Sequence, residues 1–279
     1  MSGWIKKERN RMTKKKSQLM LLFAFLGVTA IGFFEMLPNS IYATLGPRGP
    51  MSSFPMLFSF YEGMYTILPL IGYLLLIPFV SHFQTLRWRR SGFDNTVSLR
   101  IGKRVYFKQL VWRSFQEIWF YPVLINLFLV VLMVIFINPV NPLLLDDPHM
   151  VYHGFYFHQE IADWIAYTMV EVAGWTMLNL LCMLFSQLVP NKYLYPFLLL
   201  IFTLLMTFLI AFLSGLPIHN YEIVSCLSPF NLLAPGVMSL LTFESRKWRY
   251  ITVALTFLVF GLLIAGLYRL VVKLRYRYG

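Results

Sequence analysis

The sequence predicts an all-α membrane protein that crosses the bilayer six times, and three observations support this. Of the 279 residues, 58% are hydrophobic and only 13% are charged, whereas a soluble domain carries about 25% charged residues. The mean hydropathy is +0.64. Six stretches also reach the roughly 20 apolar residues that a helix needs to cross a bilayer core. They are residues 19–37, 61–83, 118–138, 164–186, 194–215 and 250–268. This composition excludes a water-soluble globule, a disordered chain and, with two cysteines, a disulfide scaffold.

Helix is the expected conformation of all six stretches, because lipid offers no hydrogen-bond partner to unpaired backbone groups. A transmembrane barrel would show short strands of alternating hydrophobicity, whereas NLFLVVLMVIFI is a continuous apolar run. The first stretch follows Lys14–Lys16 but is long for a signal peptide, and no small-residue cleavage site follows it before Glu35. We therefore interpret it as a retained span. The basic segment before it, residues 1–18, either lies along the inner interface or is a frayed terminus.

The distribution of lysine and arginine predicts the orientation. With six spans, residues 1–18, 84–117, 190–193 and the tail after 268 fall on one side of the membrane. These regions hold all of the 24 basic residues except Arg48, Arg246, Lys247 and Arg249. The positive-inside rule then places both termini in the cytoplasm. Topology and attraction to anionic lipid headgroups account for the net charge of +12 without a nucleic-acid partner.

The stretch IVSCLSPFNLLAPGVMSLLTF, residues 223–243, leaves one alternative open. It carries no charge and is long enough to span, which would give seven crossings and move the C-terminus outside. Pro229, Pro235 and Gly236 lie in its middle, and each proline removes a backbone donor and disfavours a straight helix. We therefore predict a re-entrant pair of short helices within an outer segment, residues 216–249, whose bend the other spans shield from lipid.

Signatures of catalysis are missing from the sequence. It contains no P-loop, no H-E-x-x-H, no G-x-S-x-G and no G-x-G-x-x-G. His149, His153 and His158 lie near Asp146 and Asp147, but without the spacing of a metal site, and a hydrated outer loop is the simpler interpretation. The chain is therefore predicted to be no enzyme and to hold no metal or cofactor of its own.

One carboxylate lies deep in a predicted span. Glu171 is seven residues beyond Trp164, roughly 10 Å from the outer boundary, and an ionisable side chain at such depth is a candidate functional residue. It belongs to a stripe that repeats every three or four residues and should face protein or a water-filled path. The stripe consists of Thr168, Glu171, Trp175, Asn179, Cys182 and Ser186. Asn126 and His219 are possible partners. The alternative is that Glu171 is a hydrogen-bonded packing residue.

The longest polar segment, residues 84–117, is predicted to be cytoplasmic. A turn at Gly92-Phe93-Asp94-Asn95 precedes a short amphipathic helix that would lie parallel to the membrane. Its apolar face would contain Val97, Ile101, Val105, Leu110 and Val111, and its basic face Arg100, Arg104 and Lys108. Such a helix is either held by lipid headgroups or a docking element for a cytoplasmic partner.

Two segments resemble those of a known family. The run RRSGFDN followed by RIGKRVYFKQL resembles the coupling segment of the membrane subunit (permease) of type-2 ATP-binding-cassette (ABC) exporters. The run SCLSPFNLLAPG resembles the proline-broken apolar pair that precedes their last span. The small bacterial members of this family move peptides, antibiotics or lipid-linked polymers. Arg246, Lys247 and Arg249 depart from the pattern, because they would lie on the outer side.

The resemblance implies a single permease domain, residues 1–279, in a bacterial plasma membrane, exporting a peptide, antibiotic or other amphiphile. It implies two copies of a separate ATPase subunit, which would hold the ATP and magnesium, and a second permease, identical or related. Contact with the ATPase would involve Gly92, Phe93, Asp94, Asn95, Arg100, Arg104, Tyr106 and Lys108. Glu171, Trp175 and Asn179 would line a path on the inter-subunit face. Pro229, Phe230 and Pro235 would form an outer gate.

Two rival classes have their own sequence signatures. A stand-alone channel or secondary transporter would show several intramembrane charges, or glycine-broken spans in both halves. An integral-membrane enzyme would need convergent polar side chains at one depth. The sequence places only Glu171 deep, which disfavours both classes.

Overall fold

Every regular element in the described part of the chain is helical, as predicted, with no strand there. The computed structural model describes residues 2–44, 67–90, 102–136, 160–189, 191, 193–215, 224–235 and 246–278, and leaves some side chains at the helix ends undescribed. In chain order the helices are α1 (Ser2–Thr44), α2 (Ile67–Arg90), α3 (Lys103–Ile118), α4 (Phe120–Phe136), α5 (Glu160–Leu188), a 3-10 turn (Tyr195–Phe197), α6 (Leu198–Ser214), α7 (Phe230–Leu233) and α8 (Arg246–Tyr278).

Five helical segments are long and apolar enough to cross a membrane. They are Lys16–Leu37, Val105–Phe136, Ile161–Leu188, Tyr195–Ser214 and Tyr250–Leu274, and they correspond to five of the six predicted spans. In α2, the predicted second span, the described apolar stretch is Leu68–Val80, which is shorter than a full crossing. This set of helices is that of a multi-pass membrane protein.

The basic N-terminal segment is part of the first helix. α1 runs without a break from Ser2 to Thr44, so residues 2–18 continue into the first span as one helix. At about 1.5 Å per residue, a helix of this length exceeds the bilayer core. It therefore extends beyond the apolar segment Lys16–Leu37 at both ends.

The third span begins earlier than predicted. α3 and α4 meet at Trp119, whose φ of −53° and ψ of −33° are helical and whose N–H donates to the Phe115 carbonyl at 3.0 Å. α3 therefore continues into α4 through a one-residue joint. Within the predicted cytoplasmic segment, α2 extends to Arg90 and α3 begins after Gly102, whose φ of 81° suits glycine.

The buried face of α3 also differs from the predicted apolar face. Tyr106, Leu110, Ser114 and Glu117 are buried, whereas Val105 is 50% exposed. The buried residues recur at steps of three and four, so they share one side of the helix. This side packs against α5, and this packing, more than side-chain polarity, decides which residues are inside.

α5 is the most buried of the candidate spans and packs against α2, α3, α4, α6, α7 and α8. At its middle lies a cluster of four fully buried aromatic side chains from four helices. The Phe25 ring centroid is 5.9 Å from Tyr73, 4.9 Å from Tyr121 and 5.4 Å from Trp175. Tyr73 is also 5.3 Å from Trp175. These rings fill the interior between α1, α2, α4 and α5.

Ring contacts at two levels show that α1 and α4 run in the same direction. Phe25 packs on Tyr121, and two turns further along α1 the ring of Phe33 lies 6.0 Å from that of Phe136, which is also further along α4. The N-terminal end of α1 and the beginning of α3 therefore lie at the same end of the bundle.

α8 runs toward the end of the bundle at which α3 begins. Met177 Cε lies 3.9 Å from the position that a Cβ on Gly261 would occupy. Further along α8, the Tyr268 ring is 4.6 Å from Phe107 near the beginning of α3. The C-terminal end of α8 is thus at the same end of the bundle as the N-terminal end of α1.

Candidate functional site

The polar stripe predicted on the fourth span is buried along its whole length. Its members Thr168, Glu171, Trp175, Asn179, Cys182 and Ser186 are all buried, and Glu171, Trp175 and Asn179 are 0% exposed. The prediction that this face of α5 turns toward protein is therefore confirmed. The resemblance implied that this stripe lines a path on the inter-subunit face. In the described structure the chain's own helices enclose it.

Asn126 on α4 binds the Glu171 carboxylate, as predicted. Its Nδ2 donates to Glu171 Oε2 and, at 3.2 Å, to Thr168 Oγ1. The Thr168 hydroxyl donates to the Trp164 carbonyl at 2.8 Å. The three polar side chains connect α4 to α5 within the bundle. The other predicted partner, His219, lies outside the described residues.

Asn179 connects α5 to α3 in the same way. Its Nδ2 donates to the hydroxyl of Ser114 at 3.1 Å and to the carbonyl of Ser114 at 3.3 Å. The Ser114 hydroxyl donates to the Thr176 carbonyl at 2.8 Å. Ser114 and Asn179 are both fully buried, where losing one hydrogen-bond partner costs more than at a surface. The sequence analysis missed Ser114, although Tyr106, Leu110, Ser114 and Ile118 recur every four residues.

The proline-broken segment, residues 224–235, packs against the middle of α5. The indole Nε1 of Trp175 donates to the Leu233 carbonyl at 3.2 Å. A Cβ on Gly174 would lie only 2.0 Å from the Leu232 carbonyl oxygen, so only glycine permits this approach. Because Gly174 and Trp175 lie halfway along α5, the segment reaches the middle of the bundle.

The proline-broken segment folds as a series of turns. α7, which begins after Pro229, is a single helical turn, and Asn231 Nδ2 donates to the Ser225 carbonyl at 2.8 Å. Pro229 and Pro235 are buried and Phe230 is half-buried. The predicted break at the prolines is confirmed for these residues. α8 begins at Arg246 and its apolar segment at Tyr250, and residues 216–223 and 236–245 lie outside the described part.

Arg113 and Glu117 form an ion pair inside a candidate span, which the sequence analysis missed. Arg113 Nε donates to Glu117 Oε1 at 3.0 Å across one turn of α3, and Glu117 is 7% exposed. Both residues belong to the candidate span Val105–Phe136. Their i,i+4 spacing, which allows each charge to compensate the other on one helix, was the available signal.

The structure describes few of the residues assigned to the ATPase contact. Gly92, Phe93, Asp94, Asn95 and Arg100 lie outside the described residues, as do His149, His153 and His158. Arg104 is in the first turn of α3, and its side chain is not described. Lys108 is exposed, whereas Tyr106 is buried. Tyr106 therefore packs within the bundle and is not part of a docking surface.

The geometry joins three parts of the chain through one helix: α3 through Asn179, α4 through Glu171, and the proline-broken segment through Trp175. No protein-family model, curated protein or solved structure matches this chain. Asn179 and Trp175 are one turn apart on α5, so α3 and the proline-broken segment are each bonded to the same rigid part of that helix.

Proposed function

We propose that the chain is the membrane subunit of an ATP-driven ABC exporter, which pairs with a second permease and two ATPase subunits. It would move a peptide, antibiotic or other amphiphile out of a bacterial cell. The resemblance of the segment before α3 and of the proline-broken segment suggests this function. One structural observation supports it: α5 is hydrogen-bonded to both of the elements that the proposal requires to move together.

In this proposal, α5 transmits motion from the ATPase side to the gate. Closure of the ATPases displaces residues 91–101 and with them α3. Because Ser114 is held by Asn179 and also donates to the Thr176 carbonyl, α3 cannot shift without moving α5 or breaking these buried bonds. α5 in turn holds the Leu233 carbonyl through Trp175. Alternating access requires such a rigid element with two positions.

The proposal places the translocation path between two copies of the chain. The aromatic cluster of Phe25, Tyr73, Tyr121 and Trp175 fills the middle of the single bundle. Trp175 and Asn179 therefore act as positioning residues that transmit motion. Pro229, Phe230 and Pro235 act as the gate, because their backbone lacks the rigidity of a continuous helix.

Exposed charge supports the proposed orientation. The basic side chains that the structure describes as exposed are Lys16, Lys108, Arg269 and Lys273. They all lie at the end of the bundle that contains the beginning of α3 and the end of α8, which we call the basic end. The positive-inside rule places the basic end, and with it both termini, in the cytoplasm.

Co-purification tests the exporter proposal. We expect the tagged chain, extracted in mild detergent, to bring with it a stoichiometric P-loop ATPase that hydrolyses ATP. Phe93→Ala and Asp94→Ala are expected to release this subunit, whereas Thr207→Val on the exposed side of α6 retains it. A stable complex without an ATPase, or the chain alone without ATP turnover, contradicts the proposal.

Replacing Asn179 with leucine tests transmission through α5. The variant removes the donor to Ser114 while keeping the number of side-chain heavy atoms, so the ATPase should stay bound and hydrolyse ATP. Export should fall roughly tenfold, the effect of losing about 1.4 kcal/mol of coupling. Thr207→Val is again the control. Export at the unaltered rate, measured per complex in proteoliposomes, would show that the Ser114–Asn179 contact does not transmit motion.

A proton-coupled secondary transporter is the second candidate, and the Arg113–Glu117 pair favours it. Several intramembrane charges are the feature that distinguishes this class. The structure adds Arg113 and Glu117 to the buried Glu171. Substrate uptake that is driven by a pH gradient across liposomes containing only this chain would support the second candidate over the first.

A further inference from the structure

An exposed basic residue follows each ring of the contact between α3 and α8, which we call the seam. The rings of Phe107 and Tyr268 pack at 4.6 Å with an interplanar angle of 45°. The next residue along each helix, Lys108 on α3 and Arg269 on α8, is exposed, as is Lys273 one turn beyond Arg269. The ring contact thus holds two backbones together at the point where each presents a cation.

The exposed face of α3 has the composition of a membrane interface. Trp112 is 59% exposed and Trp119 44% exposed. They lie with Val105, Lys108, Gln109 and Gln116 on one side of the helix. Tryptophan beside lysine and amides is typical of the headgroup boundary, where an aromatic ring meets both acyl chains and polar groups. By contrast, the large exposed side chains of α6 include Leu205, Phe208 and Phe212, which suit the acyl region.

The level of this face in the bundle agrees with its composition. Phe25 packs on Tyr121, and both Lys16 on α1 and Trp112 on α3 lie nine residues before their partner in that contact. At 1.5 Å per residue, both are about 14 Å toward the basic end. Because Lys16 directly precedes the apolar run of α1, Trp112 lies at the level where that run begins, and Lys108 lies one turn nearer the basic end.

We propose that Lys108 and Arg269 at this seam, with Trp112 one turn beyond Lys108 on α3, form a binding site for an anionic phospholipid. The lipid phosphate would lie between the two cations, and its acyl chain would run along Trp112. Charge complementarity selects this occupant: the cations attract a headgroup of net negative charge. A second copy of this chain would bring the same cations to the seam and be repelled. The proposal concerns lipid binding alone and does not depend on the exporter function.

Native mass spectrometry of the full chain in detergent tests this site. Phosphatidylglycerol and phosphatidylcholine with the same acyl chains serve as the probes. We expect phosphatidylglycerol to bind more tightly. Lys108→Gln and Arg269→Gln should each weaken its binding about fivefold and together about 25-fold, while phosphatidylcholine binding stays unchanged. Both side chains are exposed, so the thermal unfolding temperature should not change.

Lys16→Gln is the matched control, because it removes one exposed charge from the basic end on a different helix. It should leave phosphatidylglycerol binding within about twofold of the unaltered chain. A loss as large as that of Lys108→Gln would indicate diffuse attraction and overturn the site. Equal binding of the two lipids would also overturn it. So would loss of a dimer, in the same spectra, from the Lys108→Gln/Arg269→Gln variant without weaker lipid binding.

Discussion

Replacing Gly174 with alanine is expected to destabilise this protein more than any other glycine-to-alanine change in its described part. The added Cβ would lie 2.0 Å from the Leu232 carbonyl oxygen and 2.8 Å from the Leu232 carbonyl carbon. Both atoms belong to the backbone, so no side-chain rotation relieves the clash. Either α5 or the proline-broken segment must move, and the Trp175–Leu233 hydrogen bond lies within the same contact.

We expect the free energy of unfolding to fall by about 3 kcal/mol, at the upper end of the usual cost of overpacking. For a chain of this size, this corresponds to a thermal unfolding temperature lower by roughly 5–10 °C. A fluorescence-monitored melt of the purified protein in detergent measures the change.

Gly266→Ala and Gly261→Ala are the matched controls on α8. A Cβ on Gly266 would have no neighbouring atom within 4 Å, and the nearest atom to a Cβ on Gly261 would be Met177 Cε at 3.9 Å. In a helix interior, alanine is favoured over glycine by about 1 kcal/mol, so both controls should be neutral or stabilising. If Gly174→Ala melts with these controls, the proline-broken segment does not pack on α5 as described.

The sequence predicted the elements that depend on local pattern. Glu171, Trp175 and Asn179 recur every three or four residues, which places polar groups on one helix face whatever surrounds it. Pro229 and Pro235 interrupt a helix because of their own covalent structure. The Asn126 contact could also be anticipated, because a buried carboxylate needs a hydrogen-bond donor and few polar residues lie in the neighbouring spans.

The contacts that the sequence did not predict depend on packing between distant segments. Gly174 is one glycine within an apolar helix, and nothing near it in the chain indicates that Leu232 will approach it. Ser114 and Glu117 lie in a segment rich in basic residues, which favours a cytoplasmic assignment. Hydropathy averaged along the sequence counts Arg113 and Glu117 as two separate charges and cannot show that they compensate each other on one helix. The predicted third span therefore begins later than the apolar segment that contains them.

Replacing Glu171 with leucine is the other substitution for which we expect a large effect. It leaves the Asn126 amide without its carboxylate acceptor in the interior, and Asn126→Leu correspondingly removes a donor from the carboxylate. Each single change is expected to lower the free energy of unfolding by about 2–4 kcal/mol. The double variant should lose clearly less than the sum, because it removes both members of this hydrogen bond together. Additive losses in the melts would contradict the importance of this contact.

Glu171→Gln separates the packing role of this residue from an ionisable role. The glutamine carbonyl still accepts from Asn126 in a side chain of nearly the same shape, so stability should change by less than about 1 kcal/mol. If α5 transmits motion as a rigid helix in an ATP-driven exporter, transport should also persist, because no step requires a charge at this position. Loss of transport by a normally folded and expressed Glu171→Gln protein would show that Glu171 does more than pack and hydrogen-bond within the bundle. It would favour the proton-coupled candidate, in which a carboxylate at this depth must exchange a proton.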